Sequence, residues 1–122
     1  MEFVAHADAS ACPVDLAIRT IGGRWRMLVL RSLLMEGEQR YNSLLNTIAG
    51  ISAKELTRNL RSLEEAGLIT REVRRLGATL VDVYAVTELG TDLLPAFRIL
   101  GSFGLRLAAT HSDPATSGAA TR

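Results

Sequence analysis

The run from Gly50 to Ile69 constrains the fold more than any other part of this 122-residue chain. Ser52 stands where a helix N-cap belongs, and Glu55, three residues on, completes the pattern of a capping box. Leu56, Leu60 and Leu63 then recur at helical spacing. Lys54, Thr57, Arg58 and Arg61 fall on the opposite side, within about 100° of one another. Gly67 supplies a stop. A helix over residues 53 to 66 therefore has one face for a core and one for an anion that also needs directional hydrogen bonds. Entered through the turn Ala49-Gly50-Ile51, it has the form a DNA-recognition helix takes. The other reading is a solvated face whose cations pair with Glu55 or Glu65.

The flanking sequence supplies the rest of a small helical domain. Residues 1 to 10 read as a flexible arm. Pro13 suits the first position of a helix that continues through Leu16, Ala17, Ile18 and Ile21. Gly22-Gly23 interrupts it. A second helix carries Trp25, Met27, Leu28, Val29, Leu30, Leu33 and Leu34 almost all round, which predicts the most buried element. After the loop Glu36-Gly37-Glu38, the positions Tyr41, Leu44, Leu45 and Ile48 predict a short amphipathic helix. Beyond Gly67 the period changes. Residues 68 to 75 and 80 to 86 are rich in β-branched side chains and flank Leu76-Gly77-Ala78-Thr79, which predicts a β-hairpin. Thr87 caps a last helix with Leu89, Leu93, Leu94, Phe97, Leu100, Phe103 and Leu107 as its apolar stripe. Pro95 inside that stripe predicts a kink, and Gly101 and Gly104 weaken it further. Residues 110 to 122 have the composition of a disordered tail, leaving a domain over residues 11 to 109. The expected fold is mainly α with a small β-hairpin: a winged helix-turn-helix with extra helices at both ends.

Charge supports a local nucleic-acid footprint. The net charge is only +1, but residues 19 to 75 hold eleven Arg or Lys against six Asp or Glu, a local +5. The remainder holds three against seven, or −4. A basic centre with acidic flanks suits a chain that meets DNA through one face. No apolar run approaches the ~18 residues that suggest a membrane span, and the N-terminus lacks the features of a signal peptide, so the expectation is a cytoplasmic protein with no membrane partner. One cysteine, Cys12, rules out an internal disulfide. His6 and His111 are isolated, so neither a metal nor another cofactor is expected. There is no Ser-His-Asp set and no phosphate loop, and the Glu64-Glu65 side chains diverge on a helix, so the chain is not expected to be an enzyme.

Several ordered segments resemble the HxlR-type winged helix-turn-helix transcriptional regulators. They are Cys12-Pro13-Val14, Ile21-Gly22-Gly23-Arg24-Trp25, Leu30-Arg31-Ser32-Leu33, Arg40-Tyr41-Asn42-Ser43-Leu44, residues 50 to 57, residues 60 to 69 and Thr87-Glu88-Leu89-Gly90. The resemblance runs from about residue 11 to 104. It implies a homodimer joined through the N- and C-terminal helices, with one recognition helix per subunit in successive major grooves of an inverted-repeat operator. It departs in the wing. The family usually has a Pro-rich turn and then a basic residue, whereas here the turn is Gly77-Ala78-Thr79 and Val81 replaces the cation. Arg71, Arg74 and Arg75 on the first strand are left to serve that hairpin.

The candidate DNA-binding residues are Arg40, Asn42, Ser43, Ser52, Lys54, Thr57, Arg58, Arg61, Arg74 and Arg75. Arg58 and Arg61 are suited to bidentate bonds with a guanine edge. Arg40, Asn42 and Ser43 start a helix whose amides either grip phosphate or are simply capped. Arg74 and Arg75 are either phosphate contacts or a charged edge that blocks strand pairing. Trp25 reads as a core residue rather than a stacking platform for a ligand. Cys12 lies just before Pro13, near a helix N-terminus, a place that favours thiolate. Some relatives use a cysteine there to sense oxidants or electrophiles, and the alternative is an inert packed thiol. The function implied is a dimeric regulator of transcription, more readily a repressor; redox sensing through Cys12 and an inert thiol both stay open. Two rivals remain: a winged-helix regulator answering a small-molecule effector, and a winged-helix module that binds protein or RNA without reading DNA.

Overall fold

A computed structural model describes residues 12–111. The arm at residues 1 to 10, His6 and the tail beyond His111 lie outside the described residues. The elements in order are α1 (Pro13–Ile21), α2 (Arg24–Glu36), β1 (Gln39–Arg40), α3 (Tyr41–Thr47), α4 (Ala53–Glu65), β2 (Ile69–Leu76), β3 (Thr79–Val86), α5 (Glu88–Thr91) and α6 (Leu94–His111). The chain divides into two units, one through Thr91 and one from Asp92.

The first unit is a helix-turn-helix with a wing. Leu56, Leu60 and Leu63 of α4 are all at most 2% exposed, as are Val29, Leu30 and Leu33 of α2, which packs on α4. Leu44, Ile48, Ile51, Leu68 and Ile69 extend this core. Burial of a leucine side chain contributes roughly 1.5–3 kcal/mol, so this row dominates the placement of α4. The burial of α2 is one-sided: Trp25, Met27, Leu28 and Leu34 remain partly exposed and Met35 is exposed. An all-round apolar sequence predicts more burial than one domain's worth of neighbours supplies.

The wing is a three-stranded antiparallel sheet with strand order β1-β3-β2. β2 and β3 pair in register from Ile69 with Val86 to Leu76 with Thr79. Gly77 opens the two-residue turn with φ +66°, while Ala78 keeps negative φ, the combination of a type II′ hairpin. The two-residue strand β1 is not visible in the sequence pattern. It forms because Gln39 and Arg40 meet Tyr84 and Val83 on the free edge of β3.

The end of α4 is locked to the start of α5. The Leu68 amide bonds to the Leu63 carbonyl and the Gly67 amide to that of Glu64, with Gly67 at φ +81°. The Thr87 hydroxyl donates to the Gly67 carbonyl at 2.7 Å and accepts from the Gly90 amide at 3.0 Å. The Thr87 amide bonds to the Leu68 carbonyl at 2.9 Å. The Thr-Glu-Leu-Gly segment is therefore a structural clasp.

The second unit corrects the single C-terminal helix expected from the sequence. Asp92 and Leu93 form a turn, and Pro95 lies in the first turn of α6 instead of kinking a longer helix. Proline has no N–H to donate and clashes with the carbonyl four residues back, so the chain breaks before it. α6 then continues through Gly101 and Gly104 and takes in Thr110 and His111. Ile99, Leu100, Phe103, Leu105 and Leu107 are exposed on it. The segment Glu88–His111 is long and apolar enough to cross a membrane by length and composition alone. The sequence shows no continuous apolar run here because Asp92, Arg98 and Arg106 divide it.

A Cβ at Gly90 would collide with the backbone carbonyl of Leu68. Gly90→Ala is expected to lower stability by about 1–3 kcal/mol, read as a drop in the urea midpoint. An unchanged midpoint would contradict the clasp.

Candidate nucleic-acid interface

The N-terminus of α4 is fixed by a complete capping box. The Ser52 hydroxyl accepts from the Glu55 amide at 3.1 Å, and Glu55 Oε1 accepts from the Ser52 amide at 3.1 Å. These bonds satisfy donors that a helix start leaves without partners. Gly50 turns the chain into the cap with φ +85°. Ser52 thus acts as a cap, and its hydroxyl is occupied inside the protein.

With the leucine row buried, Lys54, Thr57, Arg58 and Arg61 all lie exposed on the opposite face of α4. Among the described residues Lys54, Arg58 and Arg61 form no ion pair. The alternative of pairing with Glu55 or Glu65 is met only in part: no salt bridge closes, but the Arg58 charge helps lower the Glu55 carboxyl pKa. Thr57 is oriented from α3: the Tyr41 phenol lies 2.9 Å from its hydroxyl and donates to the Ala53 carbonyl at 3.1 Å. Tyr41 was not singled out from the sequence as a functional residue. Its position at the start of α3, 12 residues before the first residue of α4, gives no signal in the sequence that the two helices meet there.

At the start of α3, Arg40 occupies the N-cap position and makes no side-chain cap bond. The Ser43 hydroxyl donates to Gln39 Oε1 at 3.2 Å, so it supports β1 rather than capping the helix. Arg40 and Asn42 are exposed. An open concavity of about 610 Å³ lies beside them, lined also by Thr79, Leu80, Val81 and Asp82 of the wing.

The wing's arginines divide. Arg74 is held by two carboxylates: Nη1 and Nη2 meet Glu38 at 2.7 and 3.0 Å, and Nη2 and Nε meet Glu72 at 3.0 and 3.2 Å. These bonds push the Arg74 pKa up and, with the arginine's charge, hold the Glu38 carboxyl below its ordinary value. Arg71 pairs with Asp82 at 3.5 Å and Glu64 at 3.9 Å. Arg75 is exposed and, among the described residues, forms no ion pair. Tyr84 is buried, which raises its phenol pKa, with the nearby Asp82 charge adding to the effect.

Trp25 corrects the expectation of a plain core residue. It is partly exposed, and its indole N–H donates to Glu55 Oε2 at 3.0 Å. Indole N–H groups removed from water need an acceptor, and the carboxylate of the capping box supplies one. Cys12 occupies the N-cap of α1, exposed, with its carbonyl accepting from the Leu16 amide at 2.9 Å.

A capped helix with an anion-seeking outer face, a preceding support helix and a hairpin wing define a winged helix-turn-helix. The HxlR-like helix-turn-helix family matches residues 20–112, and the chain belongs to that family. An uncharacterized HTH-type transcriptional regulator of Methanothermobacter thermautotrophicus is 36% identical over 106 residues, 87% of this chain and 79% of that protein. The HTH-type transcriptional regulator YodB of Bacillus subtilis is 37% identical over 89 residues, 71% of this chain and 77% of YodB. The redox regulator HypR in its oxidized form superposes with a TM-score of 0.71 at 29% identity, covering 78% of this chain and 96% of HypR. The chain is thus a helix-turn-helix transcriptional regulator.

Glu55 and Glu38 make the fold pH-sensitive. Hydrogen bonds from the Ser52 amide and hydroxyl, then from Trp25, hold the Glu55 carboxyl below its ordinary value, as Arg74 holds Glu38. A depressed folded pKa means the unfolded chain binds more protons at acid pH, so stability rises with pH there. The contribution is complete above the ordinary glutamate value of about 4.3 and is lost as pH falls through the lowered one. Urea midpoints at pH 7 and pH 3 are expected to differ less in Glu55→Gln and Glu38→Gln than in the natural chain.

Proposed function

We propose that the chain is a dimeric, sequence-specific DNA-binding regulator that represses by occupying a promoter, and that its role is regulatory, not catalytic. The observation that carries this reading is the face of α4: three exposed cations, none in a salt bridge among the described residues, flank an oriented threonine on a helix whose other side is buried. Arg58 and Arg61 read base edges, and Lys54, Arg40, Asn42 and Arg75 hold phosphates, with Ser43 and Ser52 shaping the backbone around them. Arg74 contributes less, because DNA would have to displace Glu38 and Glu72. A protein acting on genomic DNA in this way works in the cytoplasm.

A homodimer is supported by apolar surface at both ends. Val14 and Ile18 on α1 are 64% and 58% exposed, and Phe103 on α6 is 56% exposed. α1 has no buried residue. Contiguous exposed apolar faces of this kind mark association sites. A second copy gives two recognition helices and an inverted-repeat operator with half-sites about one helical turn apart. A response to oxidants through Cys12 is favoured by the exposure of that thiol and by the likeness to HypR, a redox regulator.

Fluorescence anisotropy with a duplex selected from a random library tests DNA reading directly. Binding is expected to survive excess random duplex and to weaken steeply with salt. Arg58→Ala or Arg61→Ala should cost about 1–3 kcal/mol and relax preference at one base pair, whereas a phosphate contact such as Lys54 should reduce the salt slope by about 1. Mild oxidation should change the affinity of the natural chain and not of Cys12→Ser. Binding that random duplex abolishes at equal concentration would defeat this reading.

Sedimentation should find a dimer in the natural chain. Phe103→Asp should shift it to monomer and weaken binding to the selected duplex, because a monomer engages one half-site. A natural chain that sediments as a monomer when bound to that duplex would refute the dimer.

A further inference from the structure

The carboxylate of Glu55 is divided between two elements. Oε1 accepts from the Ser52 amide and hydroxyl, both at 3.1 Å, and closes the cap of α4. Oε2 accepts from the indole N–H of Trp25, thirty residues earlier, in the first turn of α2. The same indole lies under the turn that enters α4, close enough that a Cβ on Gly50 would stand 3.6 Å from its edge. The Arg24 guanidinium lies over the Trp25 ring, 4.6 Å from its centroid. Arg26 Nη1 donates to the Arg19 and Thr20 carbonyls at 3.1 and 2.9 Å, which clamps the last turn of α1 to the first turn of α2.

The leucine row cannot do this work alone. Apolar burial is non-directional, so it holds α4 against the core but tolerates small rotations and slides. A bidentate contact from Arg58 or Arg61 to a base edge demands placement to within about 0.5 Å and 10–20°. Lys54, Thr57 and Arg58 lie within one turn of Glu55, so a fixed carboxylate there fixes their origin.

We propose that Trp25 is a positioning residue for DNA readout: through Glu55, its indole N–H sets the placement of the N-terminal turn of the recognition helix. The inference rests on the DNA-binding reading. It differs from that reading in where its effect falls. Phosphate contacts tolerate a loosened helix and base contacts do not. Loss of the indole bond therefore lowers specific binding and spares non-specific binding.

Trp25→Phe keeps an aromatic ring on the turn and removes the donor. Trp25→Phe is expected to weaken binding to the selected duplex roughly tenfold, the value of one hydrogen bond to a charged group, while binding to a random duplex stays within about twofold. Glu55→Gln keeps a single acceptor oxygen for two jobs and should give a partial loss with the same split. In the double variant the losses should fall short of additive, because both changes break one bond. Glu55→Gln also stands in should Trp25→Phe not fold. Hydrogen exchange gives an arm independent of DNA: amides of residues 53–57 should exchange faster in Trp25→Phe, with those of α2 unchanged. Equal loss on both duplexes, full additivity, or unchanged exchange at residues 53–57 would each overturn the proposal. A natural chain that does not distinguish the two duplexes would instead overturn the DNA reading, and with it the role in readout, whatever the exchange of Trp25→Phe.

Discussion

Burial of Leu56, Leu60 and Leu63 against Val29, Leu30 and Leu33 is the contact on which the rest of this structure depends. It is an α-helix's own periodicity turned into a placement. Once those three leucines leave water, the side chains half a turn away must face it. Lys54, Arg58 and Arg61 are thereby held outward without any bond of their own. The remaining devices refine this placement. The capping box sets where the helix begins, the Trp25–Glu55 bond sets its rotation, and the Thr87 clasp sets where it ends.

The electrostatics of the two candidate DNA-facing elements differ in kind. On α4 the cations are exposed and, among the described residues, in no salt bridge, although the Arg58 charge acts on Glu55, so they are open to an incoming phosphate or base. On the wing, carboxylates of Glu38, Glu72, Glu64 and Asp82 engage two of the three arginines. Such exposed pairs contribute little to stability, but they change what the wing presents. With Val81 in the second strand and Arg74 occupied, the hairpin offers Arg75 as its uncompensated cation among the described residues. α4 as a whole is balanced, Lys54, Arg58 and Arg61 against Glu55, Glu64 and Glu65, so what distinguishes it is the grouping of its cations on one face.

The apolar surface that the first unit hides and the apolar surface that α6 displays have the same origin. A chain with 48% hydrophobic residues has more apolar side chains than one small core accepts. Around α4 they are covered by α2, α3 and the sheet. On α1 and α6 they are left in water within a single chain, at a cost that a second copy would remove.

Local pattern alone determined the capped recognition helix, its leucine face, its cationic face and the hairpin after it, because capping, helical spacing and strand alternation act over a few residues. The family segments added the order of the elements. Tertiary structure alone decided which of the candidate residues remain available. That Arg74 is bound to Glu38, 36 residues away, while Arg75 is not, depends on the side of the sheet each faces. That Trp25 meets Glu55 and Tyr41 meets Thr57 depends on how helices cross, and crossing is invisible to a one-dimensional period. β1 exists only because β3 offers an edge, and the break before Pro95 shows where steric exclusion overrides an apolar stripe. The sequence by itself determined what each segment prefers. The packed chain decided which charges find partners, because a partner is a matter of distance through space and not along the chain.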